Sequence, residues 1–111
     1  NSVYEFEENA IKGTELFPPS QETTTSCAFS HIFQGGYSAG YYSYKWAEVL
    51  EADTFELFKE TGIYNKETAT SFLENILSRG GSEHPMELYK KFRGKEPSTK
   101  ALLIKTGLIE V

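Results

Sequence analysis

The amino-acid sequence predicts an all-α protein. Residues 38–61 carry apolar side chains three or four positions apart, which is the spacing of a buried stripe on a helix. No segment shows the sustained alternation of apolar and polar residues that is typical of a strand. Glycine or proline separates each candidate helix from the next. We therefore expect short helices around one modest core.

Composition excludes several classes of protein. The chain has 111 residues and a net charge of −5, which argues against a basic nucleic-acid surface. A single cysteine, Cys27, excludes an internal disulfide. No apolar run approaches the roughly 20 residues of a membrane helix, and no signal-peptide pattern is present. Because the chain begins with Asn1 and not Met, we expect that upstream sequence was removed or left out.

The first third of the chain predicts two short elements. Residues 2–12 predict a helix that ends at Gly13, a residue suited to a helix C-cap. Two prolines in residues 17–20 (FPPS) break that helix. Hydroxyl side chains in residues 23–26 are N-cap candidates for a short buried helix or a short strand over residues 27–33.

Four longer helices are predicted after the pair Gly35 and Gly36. The first covers residues 38–61, and the second covers residues 66–78. The predicted signals that start or end these helices are Gly62, Asn65, Pro85, Gly94, Pro97, Ser98 and Gly107. The side chains predicted to face the core of the last three are Phe72, Leu73, Ile76, Leu77, Met86, Leu88, Tyr89, Phe92, Leu102, Leu103 and Ile104.

Two sequence patterns resemble catalytic arrangements without their structural context. Residues 36–40 (GYSAG) match the nucleophile elbow G-x-S-x-G around Ser38, and Asp53 and His84 follow in the required order. That motif needs a strand before the serine, and none is predicted here. Small residues at these positions are more simply explained by close backbone packing.

Cys27 and His31 are four residues apart and would share a face of a helix. A Cys–His nucleophile pair needs a third orienting group, which the sequence does not supply, so we predict a buried structural cysteine. Together with His84, these residues lack any recognised metal-ligand spacing, and no H-E-x-x-H motif is present. We therefore predict no metal ligand in this chain.

The tyrosine-rich segment is the main functional candidate. Tyr37, Tyr41 and Tyr44 have the spacing i, i+4, i+7, which predicts a single stripe of phenol groups along a helix. The glycines Gly35 and Gly36 just before it allow the backbone to approach a ligand closely. Phenol hydroxyls could donate hydrogen bonds to a peptide carbonyl or a developing oxyanion. The alternative is an aromatic core stripe, although three hydroxyls would then need buried partners.

Residues 29–46 closely resemble the C-terminal part of the thimet oligopeptidase family of zinc metallopeptidases. The agreement continues through the stretches AEVL, ILSRGGS, PMELY and FRGKEP and ends at residues 102–103 (LL) and 107–108 (GL). It covers roughly residues 17–108. The pattern H-I-F-x-G-G-Y-x-A-G-Y-Y-x-Y resembles the bacterial peptidyl-dipeptidase branch most closely. The oligopeptidase branch has one residue fewer at the place of Gln34.

This resemblance implies an almost entirely helical peptidase domain, of which residues 1–111 form a small C-terminal piece. The family's catalytic zinc is held by H-E-x-x-H and a later Glu, all upstream of this segment. The resemblance therefore implies a zinc-dependent parent enzyme, an isolated chain that binds no zinc, and an inactive fragment. It also implies short peptides and the rest of the parent peptidase as partners, with self-association of the fragment, no nucleic acid and no membrane. The expected compartment is the cytoplasm, with the periplasm as the alternative.

The resemblance also implies the roles of individual residues. Tyr44 is the expected oxyanion donor, and His31 faces the zinc across the cleft, so both are assigned as catalytic. The substrate-binding assignments are His31, Gly35, Gly36, Tyr37 and Tyr41. A different function remains open from the residues alone, a self-standing helical interaction module with a tyrosine-rich binding face.

Overall fold

A computed structural model describes residues 2–18, 20 and 23–110. Its regular secondary structure is helical, and no strand occurs in these residues, which confirms the all-α prediction. The chain divides into two compact units, Asn1–Tyr42 and Ser43–Val111, called here the N-terminal and C-terminal units. Pro19, part of the predicted helix break, and the chain start Asn1 lie outside the described residues.

The described residues of the N-terminal unit form two α-helices, α1 (Val3–Ile11) and α2 (Thr25–Ala28), and two 3₁₀ turns, Ser30–Ile32 and Ser38–Gly40. Helix α1 begins with a capping box, in which the Ser2 hydroxyl accepts from the amide of Glu5 and the Glu5 carboxylate accepts from the amide of Ser2. The helix ends just before Gly13, whose φ of +91° stops it as the sequence predicts.

The C-terminal unit contains α3 (Ser43–Thr61), α4 (Lys66–Phe72), α5 (Pro85–Arg93) and α6 (Lys100–Lys105). A π-helical turn, Leu73–Leu77, continues α4. Asn65 caps α4 by accepting from the amide of Thr68 at 2.9 Å, as predicted. Gly62 and Gly94 end α3 and α5 with φ of +105° and +78°, also as predicted.

The core of the C-terminal unit is small and aromatic. Its buried apolar residues include Ala52, Leu88, Tyr89, Phe92 and Ala101. Phe72 packs edge-on against Phe92, with ring centroids 5.2 Å apart, and joins α4 to α5. None of the helices in the described part of the chain is long and apolar enough to cross a membrane.

The predicted packing of four side chains is wrong. Leu73 and Leu77, predicted to face the core, are 54% and 63% exposed. Both lie in the π-helical turn, where the i→i+5 bonding changes the direction of successive side chains relative to an α-helix. Cys27, predicted to be buried, is exposed, and Phe33 is 77% exposed. Cys27 lies in the four-residue helix α2, and Phe33 follows a three-residue 3₁₀ turn; neither segment has a fully buried residue, and both are too short to form an inward face.

Candidate functional site

Four rings of the N-terminal unit pack together, and we call Phe29, His31, Tyr37 and Tyr41 the His31 cluster. The His31 ring centroid lies 5.5 Å from that of Tyr37 and 5.5 Å from that of Tyr41. Phe29 meets Tyr41 edge-on at 4.5 Å and His31 at 5.6 Å. The structure therefore brings together three of the residues that the sequence predicts for the site.

Two 3₁₀ turns position the rings of this cluster. His31 lies within Ser30–Ile32, whereas Tyr37 and Tyr41 directly precede and follow Ser38–Gly40. The amide of Gly40 donates to the carbonyl of Tyr37 at 2.6 Å and closes the second turn. The ring centroids of Tyr37 and Tyr41 are consequently 5.7 Å apart.

Gly35 and Gly36 connect the two 3₁₀ turns. Each has a φ of +77°, a left-handed conformation that side chains with a Cβ atom rarely adopt. A Cβ atom at Gly36 would have no described atom within 4 Å, so steric crowding is not the reason for glycine at this position. Backbone conformation explains it, because two consecutive left-handed residues return the chain from His31 to Tyr37.

The predicted helix over residues 38–61, with three tyrosines in one stripe, is wrong at its start. Helix α3 begins at Ser43, and the preceding residues form a 3₁₀ turn. Tyr37 and Tyr41 still meet because that turn is tight. Tyr44 is in the first turn of α3, within the C-terminal unit, and is 51% exposed.

The nucleophile-elbow interpretation of Ser38 has no structural support. Ser38 begins a 3₁₀ turn, and no strand is present in the described residues before it. Asp53 is buried and accepts hydrogen bonds from Tyr89 and Arg93. His84 caps α5, with its Nδ1 accepting from the amide of Met86 at 3.3 Å. Both residues therefore have structural roles within the C-terminal unit.

The described residues do not fit a metal ion. Nowhere in residues 2–18, 20 and 23–110 do three or more His, Cys, Asp or Glu side chains come together as a metal site. The sequence also has no H-E-x-x-H motif.

An apolar groove of about 440 Å³ opens on the C-terminal unit. Its lining residues include Trp46, Leu50, Phe55, Phe58, Phe72, Met86 and Leu88. Two of these lining residues are partly exposed to solvent: Trp46 is 46% exposed and Phe55 is 43% exposed. Exposed apolar surface of this kind commonly marks a contact with another protein segment.

Two residues of the N-terminal unit were not predicted from the sequence to belong to the site or to support it. Phe29 contacts the rings of His31 and Tyr41, and its position two residues before His31 in an aromatic-rich stretch was an available signal. Glu7 binds the start of α2 from 18 residues upstream, and no local pattern indicates that contact.

Comparison with known proteins identifies what the chain is similar to. The sequence model of peptidase family M3 matches residues 2–108. Oligopeptidase A of Escherichia coli is 65% identical over 81 residues, covering 73% of this chain and 12% of that protein. The chloroplastic/mitochondrial organellar oligopeptidase A of Arabidopsis thaliana is 46% identical over 112 residues, covering 97% of this chain and 14% of that protein.

The dipeptidyl carboxypeptidase of Escherichia coli is 40% identical over 107 residues, which cover 96% of this chain and 16% of that protein. The chain thus spans only about an eighth to a sixth of the length of these relatives. The higher identity to oligopeptidase A corrects the assignment to the peptidyl-dipeptidase branch. That assignment depended on the pattern of residues 31–44 and on one extra residue, Gln34, which together carry less information than an alignment over 81 positions.

Proposed function

The chain belongs to peptidase family M3, and from this premise we propose that residues 1–111 form a C-terminal part of the catalytic domain of a longer zinc-dependent peptidase. Peptidases of this family are generally zinc-dependent. The substrates we propose are short peptides, in line with the names oligopeptidase and dipeptidyl carboxypeptidase borne by the relatives. The observation that carries the proposal is the His31 cluster beside a double-glycine turn.

We assign substrate binding to the His31 cluster and its turn. The site contains one imidazole and two phenol groups, from His31, Tyr37 and Tyr41. Their ring centroids lie within 6 Å of each other. Such groups can exchange hydrogen bonds with the amides and carbonyls of a peptide backbone. Gly35 and Gly36 carry no side chains, so a peptide can approach the backbone of the turn closely.

We assign oxyanion stabilisation to Tyr44, with His31 as the second catalytic residue. A phenol directed at the carbonyl oxygen of the scissile bond stabilises negative charge that develops there in the transition state. Tyr44 is half exposed in the first turn of a 19-residue helix, which provides a rigid support for such a donor.

In this proposal, the catalytic zinc ion is bound outside residues 1–111. Since the described residues do not fit a zinc ion, the metal is held by another part of the longer enzyme. The isolated chain is therefore expected to bind peptides weakly and to hydrolyse none. The partners that follow are the remainder of the peptidase and the short peptide substrate.

The apolar groove supports the proposal that more protein covers this chain. In the enzyme, a segment of the remainder fills the space between Trp46 and Phe55. In the isolated chain, a second copy covers the same surface, which gives self-association. The expected compartment of the enzyme is the cytoplasm, as in the relative named probable cytosolic oligopeptidase A of Arabidopsis thaliana.

A chimera tests this function directly. The matched segment of Escherichia coli oligopeptidase A is replaced by the corresponding residues of this chain, and peptide hydrolysis is measured. We expect the chimera to be active and Tyr44→Phe to lower kcat by about 100- to 1,000-fold, the usual effect of removing one oxyanion donor. Tyr42→Phe is the matched control, since Tyr42 is a neighbouring phenol that is 72% exposed.

Equal activity of Tyr44→Phe and Tyr42→Phe in a folded, active chimera would refute the role of Tyr44. Hydrolysis of peptides by the pure 111-residue chain would refute the proposal that the metal half lies elsewhere. Tight binding of unrelated proteins through Trp46, with no response to peptides, would instead support a helical interaction module.

A further inference from the structure

Glu7 forms a long-range hydrogen-bonded contact within the N-terminal unit. Its Oε1 accepts from the backbone amide of Thr25 at 2.7 Å, and its Oε2 accepts from the amide of Ser26 at 2.9 Å. The Ser26 hydroxyl donates to the same Oε2. One carboxylate on α1 thus receives three donors from the first turn of α2.

Helix α2 depends on this carboxylate for its cap. The local N-cap residue, Thr24, makes no side-chain capping bond within the described chain, and α2 is only four residues long. A helix this short has little intrinsic stability, because nucleation is unfavourable and few internal bonds offset it. An acceptor that satisfies two of its first amides, and places negative charge at its N-terminus, stabilises it on both counts.

Backbone hydrogen bonds connect this cap to the His31 cluster. Thr25, which donates to Glu7, also accepts at its carbonyl from the amide of Phe29 at 2.9 Å. Phe29 in turn accepts from the amide of Ile32 at 3.3 Å and closes the 3₁₀ turn that holds His31. The Phe29 ring packs against both His31 and Tyr41. The start of α2 therefore fixes the segment that carries two members of the cluster.

We propose that Glu7 is a positioning residue for the peptide-binding site: by capping α2 from α1, it holds Phe29 and His31 in their places within the cluster. This inference rests on the proposed function of the cluster, but its geometry concerns only the described N-terminal unit. Glu7 itself touches no reacting group in this assignment.

Packing elsewhere in α1 offers little substitute for these bonds. All nine residues of α1 are described, and none of them is fully buried.

The Ser26 hydroxyl, followed by the amides of Ser26 and Thr25, lowers the pKa of the Glu7 carboxyl below its ordinary value. The carboxylate is therefore charged at neutral pH, which makes it a stronger acceptor than a neutral amide.

NMR spectroscopy of the isotopically labelled 111-residue chain tests the proposal. Three variants are compared with the parent sequence: Glu7→Gln, Ser26→Ala and the control Glu8→Gln, which alters an exposed neighbour on the same helix. The signals followed are the Thr25 and Ser26 amides and the ring protons of His31. The ring protons of His84, in the C-terminal unit, serve as an internal reference.

We expect Glu7→Gln to move the Thr25 and Ser26 amide signals upfield, because a charged acceptor is replaced by a weaker one. The His31 ring signals should move toward those of a free imidazole as the neighbouring rings loosen, while His84 stays unchanged. Ser26→Ala removes only the hydroxyl donor and should give a smaller shift of His31 in the same direction. Glu8→Gln should move neither set of signals.

Two results would overturn the proposal. In the first, the Thr25 and Ser26 amides respond but the His31 ring does not, which means the cap exists without positioning the cluster. In the second, Ser26→Ala leaves His31 unchanged even though Glu7→Gln unfolds the N-terminal unit, which means that Glu7 acts on stability alone.

Peptide titration of the unsubstituted chain separates this inference from the proposed function. Shifts of His31, Tyr37 and Tyr41 on addition of a short peptide support the binding site. A cluster that responds to Glu7→Gln but to no peptide would retain Glu7 as a structural positioning residue and refute the substrate role.

Discussion

The hydroxyl of Tyr89 donates a 2.6 Å hydrogen bond to Oδ2 of Asp53, 36 residues earlier in the chain and inside the core of the C-terminal unit. Both side chains are buried, with 5% and 3% of their surface exposed. The guanidinium of Arg93 donates to the same carboxylate oxygen from Nε at 3.3 Å and reaches Glu60 with another nitrogen. This network joins α3 to α5 and gives the buried carboxylate both a cation and a neutral donor.

Replacing Tyr89 by Phe should lower the free energy of unfolding by about 1–3 kcal/mol. The reason is that the buried Asp53 carboxylate would keep Arg93 as a donor but lose the hydroxyl of Tyr89, and a hydrogen bond of this kind contributes about that much. Urea denaturation followed by the fluorescence of the single tryptophan, Trp46, measures the change. The control is Tyr64→Phe, at a position that is 96% exposed and should be neutral. Equal stability of the two variants would contradict the prediction.

Tyr89 should also titrate at a higher pH than an ordinary tyrosine side chain. Burial, followed by the bond to the Asp53 carboxylate, raises the pKa of Tyr89 to about 12. Because the pKa of Tyr89 is raised in the folded state, the neutral phenol stabilises the fold. This contribution is complete at pH values below the unfolded pKa of about 10. It is lost as the pH rises toward 12. Tyrosinate absorbance should therefore show one late transition that is missing in Tyr89→Phe, and its presence in that variant would refute the assignment.

The double-glycine turn should tolerate alanine poorly. Gly36→Ala places a Cβ atom on a residue with a φ of +77°, which should cost about 1–2 kcal/mol of backbone strain. Gly40→Ala is the matched control, because Gly40 has no positive φ and a Cβ atom there meets no described atom within 4 Å. NMR signals of the Tyr37 and Tyr41 rings, followed during urea titration, report the loss. Similar unfolding midpoints for the two variants would count against it.

The exposed apolar groove should drive self-association of the isolated chain. Burying the solvent-facing parts of Trp46 and Phe55 in a dimer removes apolar surface from water. This stabilises the dimer by about 25 cal/mol for each Å² that is buried. Sedimentation equilibrium should show a mass that rises with concentration, together with a blue shift of Trp46 emission. Phe55→Asp should abolish both effects, whereas Leu73→Asp should not, because Leu73 is 54% exposed and does not line the groove. A monomer at millimolar concentration would disprove this expectation.

The sequence alone determined the helices and most of their limits. Gly13, Gly62 and Gly94 end helices at positive φ, and Asn65 caps one, each as the local pattern predicts. These signals are reliable because they act on the backbone of the residue that carries them. Membership in peptidase family M3 was likewise accessible from the sequence, through the resemblance of residues 29–46 to a known family.

Local spacing was insufficient for the candidate site. The i, i+4, i+7 pattern placed Tyr37, Tyr41 and Tyr44 on one helix, yet a 3₁₀ turn ends at Gly40 and α3 begins only at Ser43. Helical spacing and a tight turn bring the same two rings together, so the pattern gave a correct contact between Tyr37 and Tyr41 for a wrong reason. The prediction that Cys27 is buried was wrong for a related reason, because its helix is too short to have an inward face.

Only the tertiary structure determined which distant residues meet. Glu7 and Ser26 are 19 positions apart, and Asp53 and Tyr89 are 36 apart. Periodicity and capping describe a residue's effect on its own turn of helix, and they carry no information about which turn lies opposite. That choice follows from how α1 packs near α2, and α3 near α5, because packing selects the few donors within reach of a carboxylate. The sequence supplied the chemical groups, and the packing of the helices selected their partners.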